Sequence, residues 1–255
     1  MKVRVAILAV ALAVTLAWAY GRLHARRERN GWTRPVDVVV YVLGDASPAE
    51  VGALGRQLEA LAARLAADRA SRGGGPVPFR FETVGPLRPE RLPPVEAPGP
   101  SLLDRAGHAL DLWRAERAAR ALAPEPDPGA FDVRVYLLAA GGASGSAFAE
   151  GIGEAGGEVG VVRAGLGGGA LLAATAVVHE VLHTLGATDK YDGAGHAVAP
   201  DGLWDPGRSP PYPQLRAEIM VGEVPLGPGR GRLPESADEV GIGPRTAAEI
   251  GWEAR

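Results

Sequence analysis

The segment Ala170–Asp192 reads ALLAATAVVHEVLHTLGATDKYD, and inside it His179-Glu180-Val181-Leu182-His183 has the spacing HExxH. Histidines four apart on a helix project from one face, so both imidazoles can reach a single Zn²⁺. Glu180, one residue after the first histidine, is close enough to take a proton from a metal-activated water. Both histidines sit in an otherwise apolar run, where an unpaired polar side chain would cost roughly 1–3 kcal/mol. A metal supplies the missing partner. Gly186, three residues beyond His183, lets the helix stop in a left-handed turn, and that turn can bring Asp189 back as a third ligand, with Asp192 as its competitor. The sequence therefore predicts a zinc centre held by His179, His183 and Asp189, with Glu180 as general base. The chain has no cysteine, which excludes thiolate zinc sites, iron–sulfur clusters, disulfide scaffolds and cysteine nucleophiles.

The whole pattern, His179-Glu180-x-x-His183-x-x-Gly186-x-x-Asp189, resembles that of the metzincin-type zinc peptidases, in the snapalysin-like variant whose third ligand is aspartate. Gly186-Ala-Thr-Asp189-Lys-Tyr191-Asp192 also looks like the GxxDxYD stretch of the immune-inhibitor-A type peptidases. The usual third histidine of metzincins is missing, and His196 lies too far along the chain to replace it. The resemblance implies zinc, peptide-bond hydrolysis and a cleft above the motif helix. It also implies a methionine on a tight turn beneath the metal; Met220, followed by Gly222, is the only methionine besides Met1. Extended substrate would add to a sheet edge, for which Val159–Arg163 is the candidate strand. Tyr191 and Tyr212 are each placed to be tested as oxyanion stabilisers.

Several elements must position these residues. Asp37–Leu43 is a β-branched run that reads as a buried strand. Ser47-Pro-Ala-Glu50 is a capping box opening a helix to about Arg69, with Leu54, Leu58, Leu61 and Leu65 on its apolar face. Phe79–Val84 is a second strand and Pro86–Pro100 a proline-rich loop. Ser101-x-x-Asp104 opens a helix to about Leu122, with Ala106, Leu110 and Trp113 on one side. Phe131–Leu138 is a third strand, Gly141–Gly157 a glycine-rich stretch, and Val159–Arg163 a short edge-like strand. Gly165-x-Gly167-Gly168-Gly169 lacks the Lys-Ser/Thr of a phosphate loop and reads as a flexible lead-in to the motif helix. Beyond it the chain is irregular to about Pro234, with a short helix near Arg245–Ile250. This order predicts an α+β or α/β fold, metzincin-like: a mixed twisted sheet packed with helices, a central HExxH helix and an irregular C-terminal subdomain.

The chain has 255 residues, 36 of them glycine and 22 proline, the size of one domain with an appendage. Residues 1–30 carry six basic groups and one acidic group, leaving a net charge of −8 on the remainder, which argues against a nucleic-acid partner. Lys2 and Arg4 precede the uncharged run Val5–Tyr20; Ala17-Trp18-Ala19 has the spacing read by a signal peptidase, and Arg22, Arg26, Arg27 and Arg29 follow. Residues 1–32 are read as a signal-anchor or signal peptide with a basic juxtamembrane segment, and 33–255 as the metallopeptidase-like domain. The expected protein is a monomer, membrane-anchored through residues 5–20 or secreted, with its body outside the cytoplasm and a peptide or protein as substrate. The rival expectation is a non-catalytic, zinc-stabilised cell-envelope binding protein. A third is hydrolysis of some other carbonyl substrate.

Overall fold

The computed structural model describes residues 2–75, 77–96, 98–125, 130–140, 150–153 and 158–252. Helix α1 (Lys2–Arg29) leads into strand β1 (Val36–Gly44), helix α2 (Pro48–Ser71) and strand β2 (Phe79–Leu87). Helix α3 (Leu102–Leu122), strands β3 (Val133–Ala140), β4 (Glu150–Gly153) and β5 (Val159–Gly165), and helix α4 (Ala170–Leu185) follow. Strands β6 (Ala217–Glu218), β7 (Val224–Gly227), β8 (Arg230–Arg232) and β9 (Val240–Gly241) and helix α5 (Pro244–Glu249) complete the chain. The side chains of residues 2–11, Lys2 and Arg4 among them, lie outside the described residues, as does most of Gly141–Gly157. Among the described residues no helix is long and apolar enough to cross a membrane.

The architecture is mixed α/β: a sheet in the order β2-β1-β3-β5-β4, its first four strands parallel and β4 antiparallel at one edge. Parallel strands need covered faces. One face buries Val38, Val40, Val135 and Val162 against Leu54, Leu58, Leu61 and Leu65 of α2 and Val177, Val181 and Leu182 of α4. On the other face Tyr41 and Tyr136 stack with ring centroids 5.3 Å apart and pack with Ala119 of α3. Beneath α3 the Arg134 guanidinium donates two bonds to Glu125, at 2.8 and 2.7 Å, and Tyr41 donates a third at 3.0 Å.

Both capping boxes form. Ser47 accepts from the Glu50 amide at 3.2 Å and Ser101 from the Asp104 amide at 3.1 Å. The side of α3 that carries Leu110 and Trp113 faces outward, whereas the buried positions are Ala115 and Ala119, whose small side chains allow close approach to the tyrosine layer.

Two expectations need correcting. Val159–Arg163 is no edge strand: it lies in β5, between β3 and β4. The edge belongs to β4, a four-residue Glu-Gly-Ile-Gly strand whose glycines give no local strand signal. Strand β2 also runs on to Leu87, into the segment read as a proline-rich loop. The packed body reaches back into the N-terminal segment. Trp32 is buried against Phe79 and Trp252, its Nε1 donating to Ile250 O at 2.7 Å, and Asn30 Nδ2 donates to Leu185 O, at the end of α4, at 2.7 Å.

Candidate metal centre

Helix α4 is apolar on nearly every side and is buried from Ala173 to Leu185, apart from half-buried positions that include His179 and His183. It stops at Gly186, whose φ of 102° is the left-handed conformation glycine adopts without a Cβ clash. The turn sends the chain back across the histidine face. Asp189 Oδ1 then lies 3.1 Å from His179 Nε2 and 3.2 Å from His183 Nε2, and the two Nε2 atoms are 3.0 Å apart. Donors placed about 2.0–2.2 Å from one tetrahedral metal stand roughly 3.3–3.5 Å from each other, so this triangle suits one face of such a site.

The protonation state follows from the backbone. His179 Nδ1 donates to Ile219 O at 3.2 Å and His183 Nδ1 to Ala187 O at 2.9 Å. A carbonyl only accepts, so each Nδ1 carries a proton and each neutral ring presents a lone pair at Nε2. Two lone pairs and a carboxylate oxygen thus converge and call for a shared cation or proton. Burial pushes the His183 imidazole down, but the Asp189 carboxylate and the Ala187 carbonyl, which favour its protonated form, outweigh this and raise it. Burial likewise pushes the Asp189 carboxyl up, and the two imidazoles beside it more than reverse this, holding it well below the usual carboxylate range.

Glu180 completes a group with His179 and His183 whose ligand-type atoms all lie within 4.8 Å of one another. Its carboxyl is raised by burial, against the pull of the two imidazoles, and among the described residues Oε2 has no hydrogen-bond partner. The side chain is held between two strands. A Cβ at Gly151 of β4 would collide with the Glu180 carboxylate, and one at Gly160 of β5 would come within 3.1 Å of Glu180 Cβ.

The other residues singled out by sequence fall into two sets. Tyr191 stacks on His179 with ring centroids 6.3 Å apart, and burial, with Asp189 alongside, pushes its phenol up to about 12. Met220 is buried in a turn closed by bonds from the Val221 and Gly222 amides to Glu218 O, both 2.9 Å. Ile219, the residue bound to His179, lies within that turn. Asp192 stands apart from the histidines: it is exposed and caps its own loop through the Ala194 and His196 amides at 2.9 and 3.1 Å. His196 pairs with Glu223 at 3.2 Å, and His24 with Glu28 on α1. Tyr212 is half-buried on a loop whose Gln214 bonds to Asp205 and Pro211.

Sequence reasoning missed Glu218, fully buried beneath this layer. Burial pushes its carboxyl up to about 7, although the Met220 and Gly243 amides donate to it at 2.6 and 3.3 Å and Thr246 and Lys190 lie near. It also missed Lys190 and Glu249, whose ion pair spans 2.8 Å. A lone acid inside the apolar run Ala217–Val221 is the signal that could have found Glu218. Comparison with known proteins found no matching family model, no matching curated protein and no matching solved structure.

Proposed function

We propose that this protein is a zinc-dependent peptidase of metzincin-like fold, and that His179, His183 and Asp189 hold its metal. The observation that carries the reading is the convergence of three acceptor atoms, His179 Nε2, His183 Nε2 and Asp189 Oδ1, at 3.0–3.2 Å, with both Nδ1 protons committed to backbone carbonyls. An N₂O donor set of imidazoles and carboxylate suits Zn²⁺ and leaves a position for substrate or water. The sheet order, with an antiparallel edge strand beside the motif helix, and the Met220 turn behind His179 are compatible with the same fold.

Zinc held there supplies a Lewis acid for the scissile carbonyl and lowers the pKa of water. The protein's own groups do the rest. Glu180, buried and raised above the ordinary carboxylate range, accepts the proton of the attacking water and passes it to the departing amine. The Tyr191 hydroxyl, protonated at any working pH, donates to the oxygen on which negative charge develops. The exposed edge of β4, adjacent to Glu180, accepts an extended peptide as an added strand. The apolar run of residues 5–20 serves in this reading as a membrane anchor or as a secretion signal that delivers the body outside the cytoplasm. Protease added to intact spheroplasts should then digest it, and protection until lysis would reverse the orientation.

The decisive experiment is Glu180→Gln, which leaves every candidate ligand in place. Zinc content should be retained, and hydrolysis of a diverse peptide library should fall by at least the roughly 10²–10⁴-fold that base catalysis contributes. A wild type that holds zinc and cleaves nothing in the library would make the protein a zinc-stabilised binding protein instead. A wild type that takes up no zinc would overturn the metal centre.

A further inference from the structure

Of the three candidate ligands, only Asp189 lies off the rigid helix α4, so something else must fix its carboxylate. Its two neighbours are held tightly. The Lys190 ammonium is 4% exposed and donates to Thr188 O at 2.5 Å, Thr188 Oγ1 at 2.8 Å and Glu249 Oε2 at 2.8 Å. Those three acceptors use all three of its donors. Glu249 in turn accepts from the Thr188 amide at 3.0 Å, the Thr188 hydroxyl at 3.1 Å and Arg245 Nε at 3.0 Å. The Lys190 backbone is fixed as well, its amide donating to Met220 O at 3.2 Å and its carbonyl accepting from Val198 at 2.9 Å. The Thr188 backbone and the side chains on both sides of Asp189 therefore meet at one carboxylate from α5.

Resting on the metal-centre reading, we propose that Glu249, acting through Thr188 and Lys190, is the positioning residue that keeps the Asp189 carboxylate against His179 and His183. Glu249 touches none of the three ligands itself. Its helix does not need it for placement, because Ala247, Ile250 and Trp252 are buried in the main core and Ile250 O accepts from Trp32. Glu249 is thus spare for the fold and committed to the loop. Partners that orient metal ligands from outside the coordination sphere typically change metal affinity by about 10–100-fold when removed.

The test compares full-length wild type, Glu249→Gln and Glu249→Ala. Zinc affinity is measured by competition with a chromogenic chelator, and ligand geometry from the visible absorption of the Co²⁺-substituted proteins. Glu249→Gln, which keeps the shape, should fold, bind zinc about 10–100-fold more weakly and shift the Co²⁺ bands; Glu249→Ala should do the same or more. Variants that match wild type in both affinity and spectrum would overturn the positioning role while leaving the metal centre standing. So would a Glu249→Gln protein that fails to fold, since that result makes the residue a support of the fold. A wild type that binds neither metal would sink the metal centre and this inference with it.

Discussion

Gly151, on the edge strand, lies flat against the Glu180 carboxylate, with no room for a methyl group between them. The contact ties the position of the proposed base, Glu180, to the strand proposed to receive substrate. Gly151→Ala should push the carboxylate aside without touching the histidines, lowering kcat by about a hundredfold, as misplacements near 1 Å do. Zinc content should be unchanged. Steady-state kinetics with metal analysis would check both, and an unaltered kcat would separate strand from base.

The two aspartates after Gly186 should behave differently. Asp189→Ala should weaken zinc binding by more than the roughly hundredfold loss typical of supporting residues. Asp192→Ala, which removes only the bonds to the Ala194 and His196 amides, should leave affinity unaltered. Equal losses in a chelator competition would mean that the loop acts as a unit and that Asp189 has no special place.

Glu218 gives stability a pH dependence of definite sign. Its folded carboxyl is raised to about 7 from an ordinary 4.5, so between those values the folded chain holds a proton that the unfolded chain has released. Stability from this group is therefore complete below about pH 4.5 and falls as pH rises towards 7, by about 3 kcal/mol in all. Glu218→Gln should flatten that slope and be the more stable protein at pH 8. Urea titrations of both proteins at pH 5 and pH 8 would show it, and parallel losses would remove Glu218 as the cause.

Trp32 closes the junction between α1 and the body. Trp32→Ala would leave a cavity between Phe79 and Trp252 and an unpaired Ile250 carbonyl. The expected loss is about 3–5 kcal/mol, measurable by denaturant unfolding. A loss below 1 kcal/mol would show that the body's core begins after this segment.

What could be read in the sequence was local. The boxes at Ser47–Glu50 and Ser101–Asp104 close within four residues, and the His179–His183 spacing and the Gly186 stop act within two helical turns, so spacing alone exposes them. What could not be read was set by partners far along the chain. Strand β4 has glycine where a strand signal would stand, and only its pairing with β5 makes it an edge. Val159–Arg163 looked like an edge because its run is short, yet strands on both sides bury it. Lys190 and Glu249 are 59 residues apart and Trp32 and Ile250 are 218 apart, so no window of sequence reveals either contact. Trp113, on one side of its helix with Leu110, is exposed, and the positions of α3 that pack are Leu112, Ala115 and Ala119.

The Thr188–Glu249 bond, which joins residues 61 positions apart, also sets an order of events during synthesis. A growing chain that has reached Asp189 already contains both histidines, the proposed base Glu180 and the proposed third ligand. The Glu249 carboxylate, proposed to seat that ligand's oxygen, has yet to be translated. Until α5 emerges and docks, the half-made protein has its candidate ligands but not the contact proposed to align them, and hydrolysis at the proposed zinc site waits until the chain is finished.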